Sequence, residues 1–214
     1  MLSKFREPIS GLTHLIGALL SILGLTLLVQ YSIVASKSNN IPTLIVFGIS
    51  LILLYTASSV YHLVYASDKA IMVLRRIDHS MIYILIAGTY TPICLIALKG
   101  HLGSILCIAI WALALTGIIL KIFWFNAPRW LYTFFYVFMG WIAVFAIYPL
   151  LKAISFSGVL WLMAGGISYT IGAVIYAAKW PKITSELFGF HEIFHIFVLL
   201  GSFCHFWMIF KYVM

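Results

Sequence analysis

The sequence predicts an all-α polytopic membrane protein, a seven-transmembrane helix bundle with a cytoplasmic N-terminus. Three observations carry that prediction. The 214 residues are 64% hydrophobic and 8% charged, with a mean hydropathy of +1.12; a soluble domain is about half apolar and about a quarter charged. Apolar runs recur at close to the roughly 20 residues that a helix needs to cross the hydrocarbon core. The 13 Lys+Arg residues outnumber the 5 Asp+Glu and fall unevenly between alternate connections. This composition excludes a soluble globular protein, a disordered chain and a disulfide scaffold. The formal charge of +8 does not make a nucleic-acid surface, because its basic residues are scattered between apolar runs.

Seven runs qualify as spans: 9–35, 41–66, 77–98, 102–123, 130–150, 156–178 and 188–212. Turn and charge signals separate them. The breaks are Ser36-Lys37-Ser38-Asn39-Asn40 with Pro42, Ser67-Asp68-Lys69 through Arg75-Arg76, Lys99-Gly100-His101, Asn126-Ala127-Pro128-Arg129, Lys152, and 179–186. Backbone in lipid must satisfy its own hydrogen bonds, so continuous apolar runs of this length are helices. A transmembrane β-barrel would instead alternate polarity over segments of about 10 residues. The short connections leave no room for a second domain, and 1–214 is read as one membrane domain.

The first run follows Lys4 and Arg6, and Val34-Ala35-Ser36 loosely resembles a cleavage site. It is nevertheless much longer than the roughly 7–15 residues of a signal-peptide core, and it is kept as the first helix. Basic residues then set the orientation. With the N-terminus inside, the inner segments hold nine: Lys4, Arg6, Lys69, Arg75, Arg76, Lys121, Arg129, Lys179 and Lys182. The outer segments hold four: Lys37, Lys99, Lys152 and Lys211. This is opposite to rhodopsin-type receptors, and no mid-helix lysine in the seventh span is present to hold a retinal. Cys94, Cys107 and Cys204 lie inside spans, form no CxxC and read as small buried apolar residues.

Ionisable groups inside spans are costly, about 2.5–3.5 kcal/mol for Asp on insertion scales, so each is a functional candidate. They are Glu7, His14, His62, Asp78, His79, His191, Glu192, His195 and His205. The topology brings most of them to one depth. His62 ends the second span, Asp78, His191 and His195 begin the third and seventh, and Glu7 and His14 open the first. His191 and His195 lie four apart on one helical face, about 6 Å from each other. With His62 they form a three-histidine set with an open fourth position, the pattern of a catalytic zinc site that activates water. Isolated intramembrane histidines are more often packing residues, and it is the pair plus matching depth that favours a metal. Ser58, one turn before His62, can orient water or a carbonyl, or simply pack between helices. Asp78 can accept a ligand histidine's N–H or hold the attacking water, or only complement a helix N-terminus. His79 points about 100° from Asp78 and reads as packing. His205 lies about 15 Å beyond His195, too far for the same metal.

His191-Glu192-Ile193-Phe194-His195 also matches HExxH, which makes an intramembrane metalloprotease a rival. Such enzymes take a third, acidic ligand from after the motif. Here nothing acidic follows Glu192.

Several segments resemble one family in combination. They are Ser58-Ser59-Val60-Tyr61-His62; Ile77-Asp78-His79-Ser80 with Ala87-Gly88-Thr89-Tyr90-Thr91-Pro92; and His191-xxx-His195 with Gly201 and Cys204-His205-Phe206. The opening Glu7-Pro8 and Thr13-His14 fit as well. The chain resembles, over essentially its whole length, the bacterial hemolysin III family. That family is related to the progestin and adipoQ receptors and, distantly, to alkaline ceramidases. The resemblance implies Zn2+ held by His62, His191 and His195, with Ser58 and Asp78 as catalytic residues acting through the metal-bound water. Gln commonly replaces the second residue of HxxxH in the eukaryotic receptors, which implies that Glu192 is not the base.

Three functions follow as expectations. The first is a zinc-dependent hydrolase of lipid amides, ceramide-like, working at the inner leaflet of a bacterial plasma membrane. The second is a non-enzymatic membrane sensor with structural zinc. The third is a cytolytic pore, motivated by the family name alone. A pore needs a polar path, and the outer half offers few polar residues beyond Thr89, Tyr90, Thr91 and His205. Membrane lipids are the expected partners and nucleic acid is not.

Overall fold

A computed structural model describes residues 5–124, 127–183, 185 and 188–214; Lys4, Asn126 and part of the 179–186 break, used above, lie outside them. Among the described residues, seven helices are long and apolar enough to cross a membrane. They are α1 (Pro8–Val34), α2 (Ser38–Leu63), α3 (Asp68–Leu98), α4 (Gly100–Phe123), α5 (Arg129–Ala153), α6 (Phe156–Ala178) and α7 (Phe190–Val213). The chain is therefore an all-helical, multi-pass membrane protein. α1 packs on α2 and α7, α2 on α3, α3 on α4 and α5, and α5 on α6, which returns to α7. This ring encloses a central cavity.

α1 hides small residues and shows large ones. On α1 the buried positions include Ser10, Gly11, His14, Gly17, Ala18, Ser21 and Gly24, whereas Ile16, Leu19, Leu20 and Leu23 are exposed. Lipid is as apolar as leucine, so helices gain little by hiding leucine from it. Small side chains let backbones approach and gain dispersion contacts. A Cβ at Gly17 would lie 2.8 Å from Leu199 and 2.9 Å from Tyr55, so α1 reaches α2 and α7 only without one.

Three departures from the expected spans have local causes. α3 begins at Asp68 rather than at 77. The Ser67 hydroxyl caps it by accepting from the Ala70 N–H (3.4 Å), and the charged segment that follows is rich in good helix formers. Hydropathy marks where lipid begins, and the helix projects past that point. The end of α3 widens to a π-turn over Ile93–Leu98, directly after Pro92, which has no N–H to give. The chain then turns through Lys99 and Gly100, both at positive φ. α5 tightens to a 3-10 turn at Ile142–Ala146. Tyr90 of α3 enters that break: its hydroxyl donates to the carbonyls of Met139 and Gly140 (3.0 and 2.9 Å) and accepts from the Ala143 N–H (2.7 Å). Backbone groups released in lipid must find such a partner.

Candidate metal centre

α2 ends and α7 begins at the same end of the bundle as the start of α1, and this brings three histidines together. One ring nitrogen from each of His62, His191 and His195 lies within 4.8 Å of the others. His62 Nε2 and His191 Nε2 are 3.3 Å apart. His191 and His195 sit one α7 turn apart with ring centroids at 4.6 Å. His62 and His195 are both 1% exposed.

For His62 and His195 the remaining ring nitrogen fixes which edge the ring presents. His62 Nδ1 is hydrogen-bonded to the Glu7 carboxylate. His195 Nδ1 lies 3.2 Å from the Ser10 carbonyl. A carboxylate or carbonyl only accepts, so each ring donates from Nδ1 and keeps its Nε2 lone pair for the shared space. Carboxylate–histidine and carbonyl–histidine pairs of this kind orient metal ligands. The 3.3 Å between His62 and His191 also fits a tetrahedral zinc ion, whose nitrogens at about 2.0–2.1 Å stand about 3.3–3.4 Å apart. The donor set, three imidazoles of which His62 and His195 have their outer N–H groups engaged, therefore fits zinc.

Glu7 and Ser10 were not read as orienting groups from the sequence. The signal was there: Glu7, Ser10 and His14 are spaced along one face at the opening of α1. Glu7 sits just before the span. Partial burial pushes its carboxyl up, but the hydrogen bond and electrostatic pull of His62, together with Arg6, outweigh this and hold it below the ordinary range.

Ser58 and Asp78 are both buried and line the cavity beside His191 and His195. Among the described residues no hydrogen bond joins Asp78 to a ligand histidine, the role weighed for it above. Glu7 and the Ser10 carbonyl fill that role for His62 and His195, and the Asp78 carboxyl instead shares a hydrogen bond with Ser58. His79 lines the same cavity despite its angle from Asp78. The cavity wraps round this face of α3, and Tyr132 (5.9 Å) and Tyr176 (6.4 Å) stand against the His79 ring. Glu192 is committed elsewhere. Its carboxylate accepts from the Ser10 hydroxyl and from the Gly189 N–H (2.7 Å), closing the start of α7. It is absent from the residues lining the cavity.

The cavity, about 130 Å³, runs from these groups along the bundle to His205 and Trp141 between mostly apolar walls. His205 stands at its far end against Tyr169, with ring centroids 5.4 Å apart.

The comparisons with known proteins agree with this frame. The family model described as "Haemolysin-III related" matches residues 2–206. The "Hemolysin-3 homolog" of Bacillus subtilis (strain 168) is 41% identical over 206 residues, covering 96% of this chain and 93% of that protein. "Hemolysin-3" of Bacillus cereus is 39% identical over 208 residues, covering 97% and 92%. A shorter match, 38% identical over 50 residues, covers 21% of this chain and 16% of the "ADIPOR-like receptor IZH2" of Saccharomyces cerevisiae (strain ATCC 204508 / S288c). With the model spanning nearly the whole chain, and two bacterial relatives near 40% identity that it covers almost end to end, the protein belongs to the haemolysin-III family.

Proposed function

We propose that the protein is a zinc-dependent hydrolase of lipid amides, ceramide-like in substrate, working at the cytoplasmic leaflet of a bacterial plasma membrane. The observation that carries this reading is the three-histidine cluster, its ring nitrogens within 4.8 Å of one another, beside a cavity that also holds Ser58 and Asp78. His62, His191 and His195 would hold the zinc. When bound, the ion supplies Lewis acidity toward a carbonyl and lowers the pKa of water.

The chain's own groups do the rest. Glu7 and the Ser10 carbonyl hold two ligand rings at a fixed tautomer and tilt. Asp78 would accept a proton from water entering the cavity and return it to the departing amine nitrogen. The Ser58 hydroxyl, bonded to Asp78, orients that carboxyl and can donate to the carbonyl oxygen as negative charge develops there. The apolar walls exclude bulk water and accept a hydrocarbon chain.

A second reading has its own support. The histidines join α2 to α7, and Glu7 and Ser10 tie α1 to both, so zinc here can serve structure in a sensor without turnover. Purified protein separates the two. About one zinc per chain, lost in His195→Ala, with amine released from a ceramide-like amide, is the hydrolase outcome. Stoichiometric zinc without turnover on any amide lipid supports the structural reading, and protein without metal sinks both. Dye release from reconstituted vesicles would instead assign a pore.

A further inference from the structure

Lys121 lies in the last turn of α4, yet its side chain is turned into the bundle and is only 4% exposed. A lysine buried within a span is expensive and is a functional candidate for that reason. Its ammonium stands over the Tyr132 ring, 3.5 Å from the centroid. Arg129 stands in the same way over Tyr176, at 4.7 Å. Both tyrosines line the cavity, so each cation rests on a ring that forms its wall. Arg75 is the third charge here. It and Lys121 both act on the His79 ring, which lines the cavity with the two tyrosines. Tyr176 also meets His191, ring centroids 5.8 Å apart, so this basic end adjoins the histidine cluster. Fewer acids oppose it. Among the described residues Asp78 is the one acid lining the cavity; Glu7 is bonded to His62, and Glu192 to Ser10 and Gly189. Charges of one sign around a cleft with low-dielectric walls focus their field into it, and in such surroundings the field falls off slowly. A zinc ion would add to the same sign.

We propose that the cavity takes anionic lipid amides, N-acyl amino acids with the carboxylate on the amine side, and that Arg75, Lys121 and Arg129 select them by charge. The acyl chain follows the apolar walls toward His205, the amide meets the histidines, and the carboxylate stays at the basic end. The selection is electrostatic, so the carboxylate need not touch any of the three cations. A neutral amide of the same size gains nothing from the field, and a cationic one is repelled. This rests on the lipid-amide reading and narrows it to one charge class, but it concerns binding and not cleavage.

The test compares three probes on the purified full chain in a neutral detergent: N-dodecanoylglycine, the neutral N-dodecanoylglycinamide, and the cationic mono-dodecanoyl amide of ethylenediamine. Binding is followed by tryptophan fluorescence, since Trp141 lines the cavity, metal by elemental analysis, and cleavage by released glycine. The wild type is expected to bind the glycine probe about tenfold more tightly than the glycinamide, the effect of one unit charge about 12 Å away at an effective dielectric of about 20. The cationic probe should bind more weakly than either. Lys121→Met removes the charge and keeps an apolar stem. It should weaken the glycine probe by about threefold or more while moving the glycinamide by less than about twofold. Lys121→Arg, which keeps the charge, should keep the preference. Each probe partitions into the micelle equally for every variant, so differences between variants belong to the protein. Equal binding of the glycine and glycinamide probes to the wild type, or no binding of any probe, overturns the inference. So does a preference that survives whole in Lys121→Met, as it would if a metal ion alone held the carboxylate. Loss of metal, or of all three probes alike, in Lys121→Met makes Lys121 a structural residue and overturns it too. Charge preference without glycine release upholds this inference while overturning the hydrolase reading; amine release from neutral lipid amides without charge preference does the reverse.

Discussion

At the scale of single residues, the centre is organised less by its three histidines than by what holds their outer nitrogens. Glu7 is the test of this. Its carboxylate receives His62 Nδ1, and orienting groups of this kind typically contribute about 10–100-fold in metal affinity. Glu7→Gln keeps the shape and loses the charge, so zinc affinity measured by chelator competition should fall by about that factor. The apo protein should unfold at nearly the wild-type temperature. An unchanged affinity would show that Glu7 merely neighbours the ring. Glu192 makes the opposite prediction. In a protease using HExxH this glutamate is the general base, and its loss should cost about 10²–10⁴ in rate. Here the carboxylate is held by Ser10 and Gly189, facing α1 and its own helix start. Glu192→Gln should therefore keep one zinc per chain and hold amide hydrolysis within about threefold, well short of losing a general base. A collapse of the rate with zinc retained would return the metalloprotease reading.

At the scale of elements, the same contacts are what join α1 to α7. The Ser10 hydroxyl on Glu192 and the Ser10 carbonyl under His195 put both hydrogen-bonding groups of one residue to work between helices. In membranes such bonds couple by about 0.6 kcal/mol on average and about 1.7 at most. A double-mutant cycle over Ser10→Ala and Glu192→Gln, followed by unfolding in mixed micelles, should give a coupling inside that range. Additive effects would show that the pair is incidental. Element existence was legible in the sequence because a span needs only length and hydropathy, and seven apolar runs became seven helices. Element ends were not. The first nine residues of α3, Asp68 to Arg76, are charged and helical at once, and a hydropathy reading stops where the charge begins. The 3-10 turn in α5 depends on Tyr90, some fifty residues away, and no local pattern announces it. The site divides the same way. His62, His191 and His195 were legible because topology fixes depth and spacing fixes face. The tasks of Glu7, Ser10 and Asp78 were not, because hydrogen-bond partners depend on rotation about helix axes.

At the scale of the whole molecule, everything said about leaflet and substrate access depends on which way the bundle faces. The argument is electrostatic: nine basic residues fall on the side of the N-terminus and four on the other, and segments rich in Lys and Arg are retained in the cytoplasm. Arg129 shows what a basic residue does at that end. Its guanidinium lies over the Tyr176 ring at 4.7 Å and donates to the Tyr176 carbonyl (3.2 Å), pinning α5 to the C-terminal end of α6. The histidine cluster sits at this same end, so the prediction is that the histidines face the cytoplasmic leaflet. A reporter that fluoresces only in the cytoplasm should be bright when fused ahead of α1 and dark when fused after α7, because seven spans place the two ends on opposite sides. A periplasmic phosphatase fusion should give the reverse. The connections check this independently: a cysteine replacing Lys37 or Lys99 should react with an impermeant maleimide on intact cells, and one replacing Lys69 should react only after lysis. If Lys69→Cys labels on intact cells while Lys37→Cys does not, the bundle is inverted. The cavity would then open its histidine end to the outer leaflet, and an amide lipid supplied from outside the cell would become the substrate to test.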